Sequence, residues 1–224
     1  MKNQGIALIL IFSLIFSHSC IKDDDFESGN LNPIKGRGPV VSEERVLSSS
    51  INAVSSQMGA DVNIIASDEN YIVINAQENL HQYIKTFVKS GELRIYTGLE
   101  GIETRKPITI DVYTSKIKRL SLTGAGNIIS DLPLNEINLS GAGYIYSKGE
   151  VEYLNVTISG SGNLDLFDMP VQKAKVSIMG TGSVNVYTTE SLNVNIMGIG
   201  NVYFKGNPVV NQNIFGMGSV IDSN

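Results

Sequence analysis

The sequence predicts an all-β protein: a parallel β-helix, or solenoid, of right-handed coils about 18 residues long with one short capping helix. Three observations carry this. A glycine doublet returns six times, at Gly124/Gly126, Gly141/Gly143, Gly160/Gly162, Gly180/Gly182, Gly198/Gly200 and Gly216/Gly218, with starts 17, 19, 20, 18 and 18 residues apart. Self-similarity at such a period is the mark of a repeat stack, in which each unit covers its neighbour's apolar face. Around each doublet the chain alternates apolar and polar with period two, which is the signature of strands and not of helices. Finally, about 18 residues hold two strands and two bends, too few for a four-stranded propeller blade. The right hand follows because parallel crossovers are overwhelmingly of that hand.

Taken in order, the chain opens as a targeting segment. Lys2 precedes an apolar run from Ile6 to Phe16, short for a membrane span. Ser17-His18-Ser19 then leads to Cys20, the only cysteine in the sequence. Residues 1–19 are therefore expected to be a signal peptide cut before Cys20, and Cys20 to carry a lipid that anchors the chain to a membrane. Residues 20–39 are expected to be a flexible tether. They begin with the charged run Lys22-Asp23-Asp24-Asp25 and continue with Gly29, Pro33, Gly36, Gly38 and Pro39, without apolar period. The lysine followed by acids resembles the surface-export signal of Bacteroidetes lipoproteins. Residues 40–224 are expected to be the solenoid, a divergent part at 40–115 followed by regular coils at 116–224.

In the divergent part, strand-like runs occur at Arg45–Val54, Asp61–Ala66, Tyr71–Asn75, Glu92–Thr97 and Ile108–Tyr113. Gln77–Phe87 is the helical candidate, with Leu80, Tyr83, Ile84 and Phe87 at helical spacing. His81 lies off that stripe and is expected to be exposed and inert. Gly98–Lys106 is polar and reads as a mobile loop.

In the regular part, Leu122, Leu139, Ile158, Ile178, Ile196 and Ile214 stand two residues before successive doublets. Leu120, Ile137, Val156, Val176 and Val194 stand four before, with Gln212 as the exception in the sixth row. Ile128, Ile145, Leu164, Val184, Val202 and Val220 stand two after. Parity makes these the internal ladders and puts Ser121, Asn138, Thr157, Ser177, Asn195 and Asn213 outside. Turns are expected at Asp131-Leu132-Pro133 and Asp168-Met169-Pro170. Glycine suits either a bend that demands positive φ or a place where adjacent coils approach closely. Phosphate cradling is rejected: a dinucleotide loop needs a third glycine, where this chain has Ile129, Tyr146, Asp165, Asn185, Tyr203 and Ile221, and a helix to follow.

The series resembles the head GIN adhesin domain of Bacteroidetes lipoproteins. The residues that carry the likeness are Ile51-Asn52-Ala53-Val54, Gly59-Ala60-Asp61-Val62, Glu92-Leu93-Arg94-Ile95 and the serial Gly-x-Gly-Asn/Ser-apolar units, over about Arg45–Asp222. Tyr144 departs from the pattern in the second unit. The resemblance implies a β-helical protein of the cell envelope and brings no catalytic motif.

Function is read from what faces outward. Residues beside and between the doublet glycines are small in early rows (Thr123, Ala125, Ser140, Ala142) and large and apolar in later ones. Met179, Met197, Ile199, Phe215 and Met217 are the candidate binding patch. The expected function is a non-catalytic binding or adhesion module of an outer-membrane, surface-displayed lipoprotein. A protein or glycan partner would sit on the solenoid face, and self-association is expected of the same strip. Two alternatives stand beside it: a polysaccharide lyase or hydrolase, and a structural envelope accessory. The enzyme needs clustered carboxylates; Asp131, Asp165 and Asp168 lie near turns, and only Asp165 takes an outward strand position beside a doublet. Nucleic acid is excluded by a formal net charge of -5 without a basic patch. No cofactor or metal is expected, since His18, His81 and Cys20 make no ligand set.

Overall fold

Two parallel sheets face each other across a continuous aliphatic core, and the chain winds from one to the other at every coil. The description rests on a computed structural model and covers residues 32–99 and 101–224. The strands are β1 (Ile34–Lys35), β2 (Val40–Val46), β3 (Ala53–Ser56), β4 (Asp61–Ala66), β5 (Tyr71–Gln77), β6 (Lys85–Lys89), β7 (Glu92–Tyr96), β8 (Ile102–Glu103), β9 (Thr109–Thr114), β10 (Arg119–Leu122), β11 (Ala125–Ser130), β12 (Glu136–Leu139), β13 (Ala142–Ser147), β14 (Val151–Ile158), β15 (Ser161–Ile178), β16 (Thr181–Ile196), β17 (Ile199–Lys205), β18 (Val209–Ile214) and β19 (Met217–Asp222). The solenoid makes about 5 turns with coils about 19 residues apart, as the sequence predicts.

The first sheet stacks β7, β3, β10, β12, β14, the second half of β15, the second half of β16, and β18 in parallel register. The second stacks β9, β4, β11, β13, and the first halves of β15 and β16, then β17 and β19. The register sets the predicted rows on top of one another. Leu120 pairs with Ile137, Ile137 with Val156, Val156 with Val176, and Val176 with Val194. All are buried. Each such side chain contributes roughly 1.5–3 kcal/mol by leaving water, and the columns supply the cohesion between coils.

Glycine answers a steric need between coils. A Cβ on Gly141 would overlap the carbonyl oxygen of Gly124, and one on Gly182 that of Gly162, with the same conflict repeated up both columns. That carbonyl also accepts from the residue between the next pair: Ala142 N–H donates to Gly124 O at 3.1 Å and Ile199 N–H to Gly180 O at 3.0 Å. Only Gly126 and Gly143 among the doublet glycines have φ in the left-handed region, so close approach, and not handedness, sets the motif.

The divergent part differs from the sequence expectation in several places. The predicted strand at Arg45–Val54 is two strands, β2 and β3, with an interruption between. Chain order is not stacking order, because β3 and β4 lie between the β7–β9 coil and the β10–β11 coil. The helix is a 3-10 turn at Glu78–Tyr83; Phe87 belongs instead to β6, which pairs antiparallel with β7. Tightening to three residues per turn brings His81 inward beside Leu80. His81 is 7% exposed, which corrects the expectation of a free surface histidine. Its Nε2 lies 3.1 Å from Val41 O and 3.2 Å from Ala76 O, so this nitrogen carries a proton and donates. Its Nδ1 is 3.1 Å from Glu43 Oε2.

β1, within the stretch expected to be tether, pairs with β8, within the stretch expected to be a mobile loop. The expected turn at Asp168-Met169-Pro170 is a bend inside the unbroken strand β15, marked by a register shift between Leu166 and Pro170. A bulge is where a strand tolerates proline.

Candidate functional site

The five predicted patch residues come together along one edge of the solenoid, at the bend between its two sheets. Met179, Met197 and Phe215 occupy the same place in successive coils. Each anchors its backbone N–H on the coil before, to Ile158 O at 2.7 Å, Ile178 O at 2.8 Å and Ile196 O at 2.8 Å. Across the first doublet glycine, Ile199 pairs with Met217. The glycine turn is tight and its flanking residues have nowhere to fold back, so they project. Met179 is 48% exposed, Met197 52%, Ile199 55%, Phe215 72% and Met217 73%. Exposure therefore increases toward the last coil. Thioether chains are flexible and polarizable, and they suit a surface that adapts to a partner. Cys20, the predicted lipidation site, lies outside the described residues.

A second cluster lies on the outer face of the second sheet, and single columns of the sequence do not reveal it. The Tyr146 hydroxyl donates to Asp168 Oδ2 at 2.6 Å, and the Tyr144 hydroxyl to Asp165 Oδ2 at 3.4 Å. The hydrogen bond to Asp168, reinforced by partial desolvation and the carboxylate charges, pushes Tyr146 up to about 12. Tyr144 is raised as well, first by partial burial and then by Asp165. Both phenols stay protonated at neutral pH and act as donors, not as bases. Lys148 pairs with Asp131 at 2.7 Å. Asp131, Asp165 and Asp168 thus each have a committed neighbour. Tyr146 and Asp165 stand side by side in register, and that adjacency is legible once the repeats are set in rows. The bond to Asp168 is not, because the β15 bulge that carries Asp168 outward leaves no mark on the alternation.

On the outer face of the first sheet, an open cleft of about 360 Å³ runs past Asn135, Tyr153, Asn155, Lys173, Lys175 and Asn193. Lys173 lies 5.5 Å from the Tyr153 ring centroid and 3.6 Å from Glu190. The cleft offers amide and ammonium donors and no carboxylate pair. Among the described residues no group of three or more His, Cys, Asp or Glu could hold a metal ion.

The family described as "Putative auto-transporter adhesin, head GIN domain" matches residues 51–140 and 135–208. Among solved structures, the chain is similar to a "putative adhesin" from Bacteroides fragilis, at 15% identity and a TM-score of 0.63, over 85% of this chain and 100% of that one. It is similar to a "putative adhesin" from Parabacteroides merdae at 20% identity and a TM-score of 0.56, over 86% of this chain and 100% of the other. A "putative lipid binding protein" from Parabacteroides distasonis is 23% identical, with a TM-score of 0.53 over 86% and 100% of the two chains. At these identities the likeness is one of fold. No curated protein matches the chain.

Proposed function

The chain belongs to the head GIN domain family, and on that premise we propose that it is a non-catalytic adhesion module displayed on the outer membrane through a lipid on Cys20. The observation that carries the reading is the outward column of Met179, Met197 and Phe215 with Ile199 and Met217 beside it. A soluble surface rarely keeps contiguous exposed apolar side chains without a partner. The strip is uncharged and rich in methionine, which favours a protein surface over a glycan. The protonated tyrosines and the engaged aspartates supply no acid–base pair for glycoside cleavage, and this supports the non-catalytic reading over the polysaccharide-active one.

The test uses cells that produce the full chain and beads coated either with outer-membrane proteins or with envelope polysaccharide. Attachment to the protein-coated beads is expected. Met197→Ser with Phe215→Ser should cut it about tenfold or more, since truncating a buried interface anchor costs roughly 1–2 kcal/mol or above. Cys20→Ala should release the chain from the cells and abolish attachment. Wild-type attachment by the double variant would sink the strip as the binding surface. Preference for the polysaccharide beads would replace the protein partner with a glycan, and a cell-bound Cys20→Ala chain would remove the lipid anchor.

A further inference from the structure

The two ends of the solenoid are finished differently. At one end the stack closes with antiparallel strands: β2 on β5, β5 on β9, and β6 on β7. The outermost of these carry charge, with Glu43, Glu44 and Arg45 on β2 and Lys85 and Lys89 on β6. Charged edge strands are the usual guard against pairing with another chain. At the other end, among the described residues, β18 pairs only with β16 and β19 only with β17. Their outer edges carry unpaired backbone donors and acceptors, roughly every second residue pointing outward. Here the guard is missing, because no Asp, Glu, Lys or Arg occurs between Lys205 and Asp222. The core is also left open: Val194 is 3% and Val202 0% exposed, while Val210, Ile214 and Val220 in the last coil are only partly buried.

We propose that this end is an interface between two copies of the chain, joined end to end with β18 paired to β18 and β19 to β19 in antiparallel fashion. A partner for this edge must present two strand edges at once, separated by the distance between the two sheets. A single peptide strand fills only one of them. The same end of a second copy matches both: a two-fold axis normal to the sheets keeps each sheet in its plane and reverses its strands. The charged, antiparallel end cannot continue the parallel stack, so head-to-tail growth stops and the assembly closes as a dimer. The uncharged segment lets two copies approach without local like-charge repulsion, although the chain is acidic overall.

The arrangement places Phe215 and Met217 of both copies beside the joint and the two capped ends at opposite extremes, separated by two stacks of strands at about 4.8 Å per coil. The pairing does not depend on the lipid-anchor reading.

The experiment measures the mass of the detergent-solubilised full chain by light scattering across a dilution series. A dimer that dissociates on dilution is expected. Asn211→Lys with Ser219→Lys restores edge charge, and this variant should be monomeric at concentrations where Met179→Ser with Met197→Ser remains dimeric. A monomer at every concentration, or a dimer untouched by the edge lysines, overturns the proposal. Hydrogen exchange on the unaltered chain covers the case in which the lysine variant fails to fold. Protection of amides in 209–214 and 217–222 should increase with concentration, and concentration-independent exchange there also overturns it. A dimer that binds no protein-coated bead leaves the pairing intact and defeats only the adhesive reading.

Discussion

A Cβ placed on Gly182 meets the carbonyl oxygen of Gly162 one coil below, and that oxygen is fixed in the backbone of a parallel ladder. No rotamer change relieves such an overlap, because the obstructing atom belongs to the main chain. Gly182→Ala is therefore expected to destabilise the solenoid by about 3 kcal/mol or more, the upper range for overpacking, and to lower the melting temperature followed by circular dichroism. Thr181→Ala, one residue away and facing solvent, should stay within about 0.5 kcal/mol of the parent. Equal melting of the two variants would mean that the coils can part to admit a methyl group. The sequence shows that glycine is required in these columns, but it offers two physical reasons and cannot choose between them. The choice depends on how near the next coil lies, and that distance follows from the register of two strands.

β15 shows what alternation does and does not encode. From Ser161 to Leu166 and again from Lys173 to Ile178 its inward residues follow the apolar pattern, and these columns are legible in the amino-acid sequence alone. Between them the strand bends with a register shift, and the same pattern reads equally well as a turn. The bulge carries Asp168 to Tyr146, a contact that fixes the phenol in its protonated form and raises it from 10.0 to about 12. A raised value in the folded state means that the bond contributes fully below the unfolded tyrosine value near 10 and is lost as pH rises toward 12. Ultraviolet titration of the phenolates should show one tyrosine ionising near 12, and Asp168→Asn should move it back toward 10. If the titration curve is the same in Asp168→Asn, Asp168 does not hold Tyr146. The 3-10 turn at Glu78–Tyr83 illustrates the same limit. Leu80, Tyr83, Ile84 and Phe87 fit a helical stripe, yet pairing of Lys85–Lys89 with β7 outweighs so short a helix.

In the whole molecule, stability passes from coil to coil through nearest neighbours, so the two ends decide where unfolding begins. The capped end is held by contacts between residues some forty positions apart, which no local pattern reveals. Arg45 on β2 is their centre. Its Nη1 donates to Ile84 O at 2.7 Å and to Thr86 Oγ1 at 3.1 Å, its Nη2 to His81 O at 2.9 Å, and its Nε to Glu43 Oε1 at 2.6 Å. A planar guanidinium can serve all four acceptors, which an ammonium on a flexible stem cannot. Arg45→Ala takes a part-buried charged donor from two backbone carbonyls, at a cost of about 2–3 kcal/mol. In a nearest-neighbour stack that cost should stay local. Hydrogen exchange is expected to accelerate across Glu78–Lys89 and β2, while the amides of β14 and β16, several coils away, keep their protection. Acceleration spread evenly over every coil would show that the solenoid unfolds as one cooperative block. Unchanged exchange in Glu78–Lys89 would show that the cap is held by its strand pairing alone.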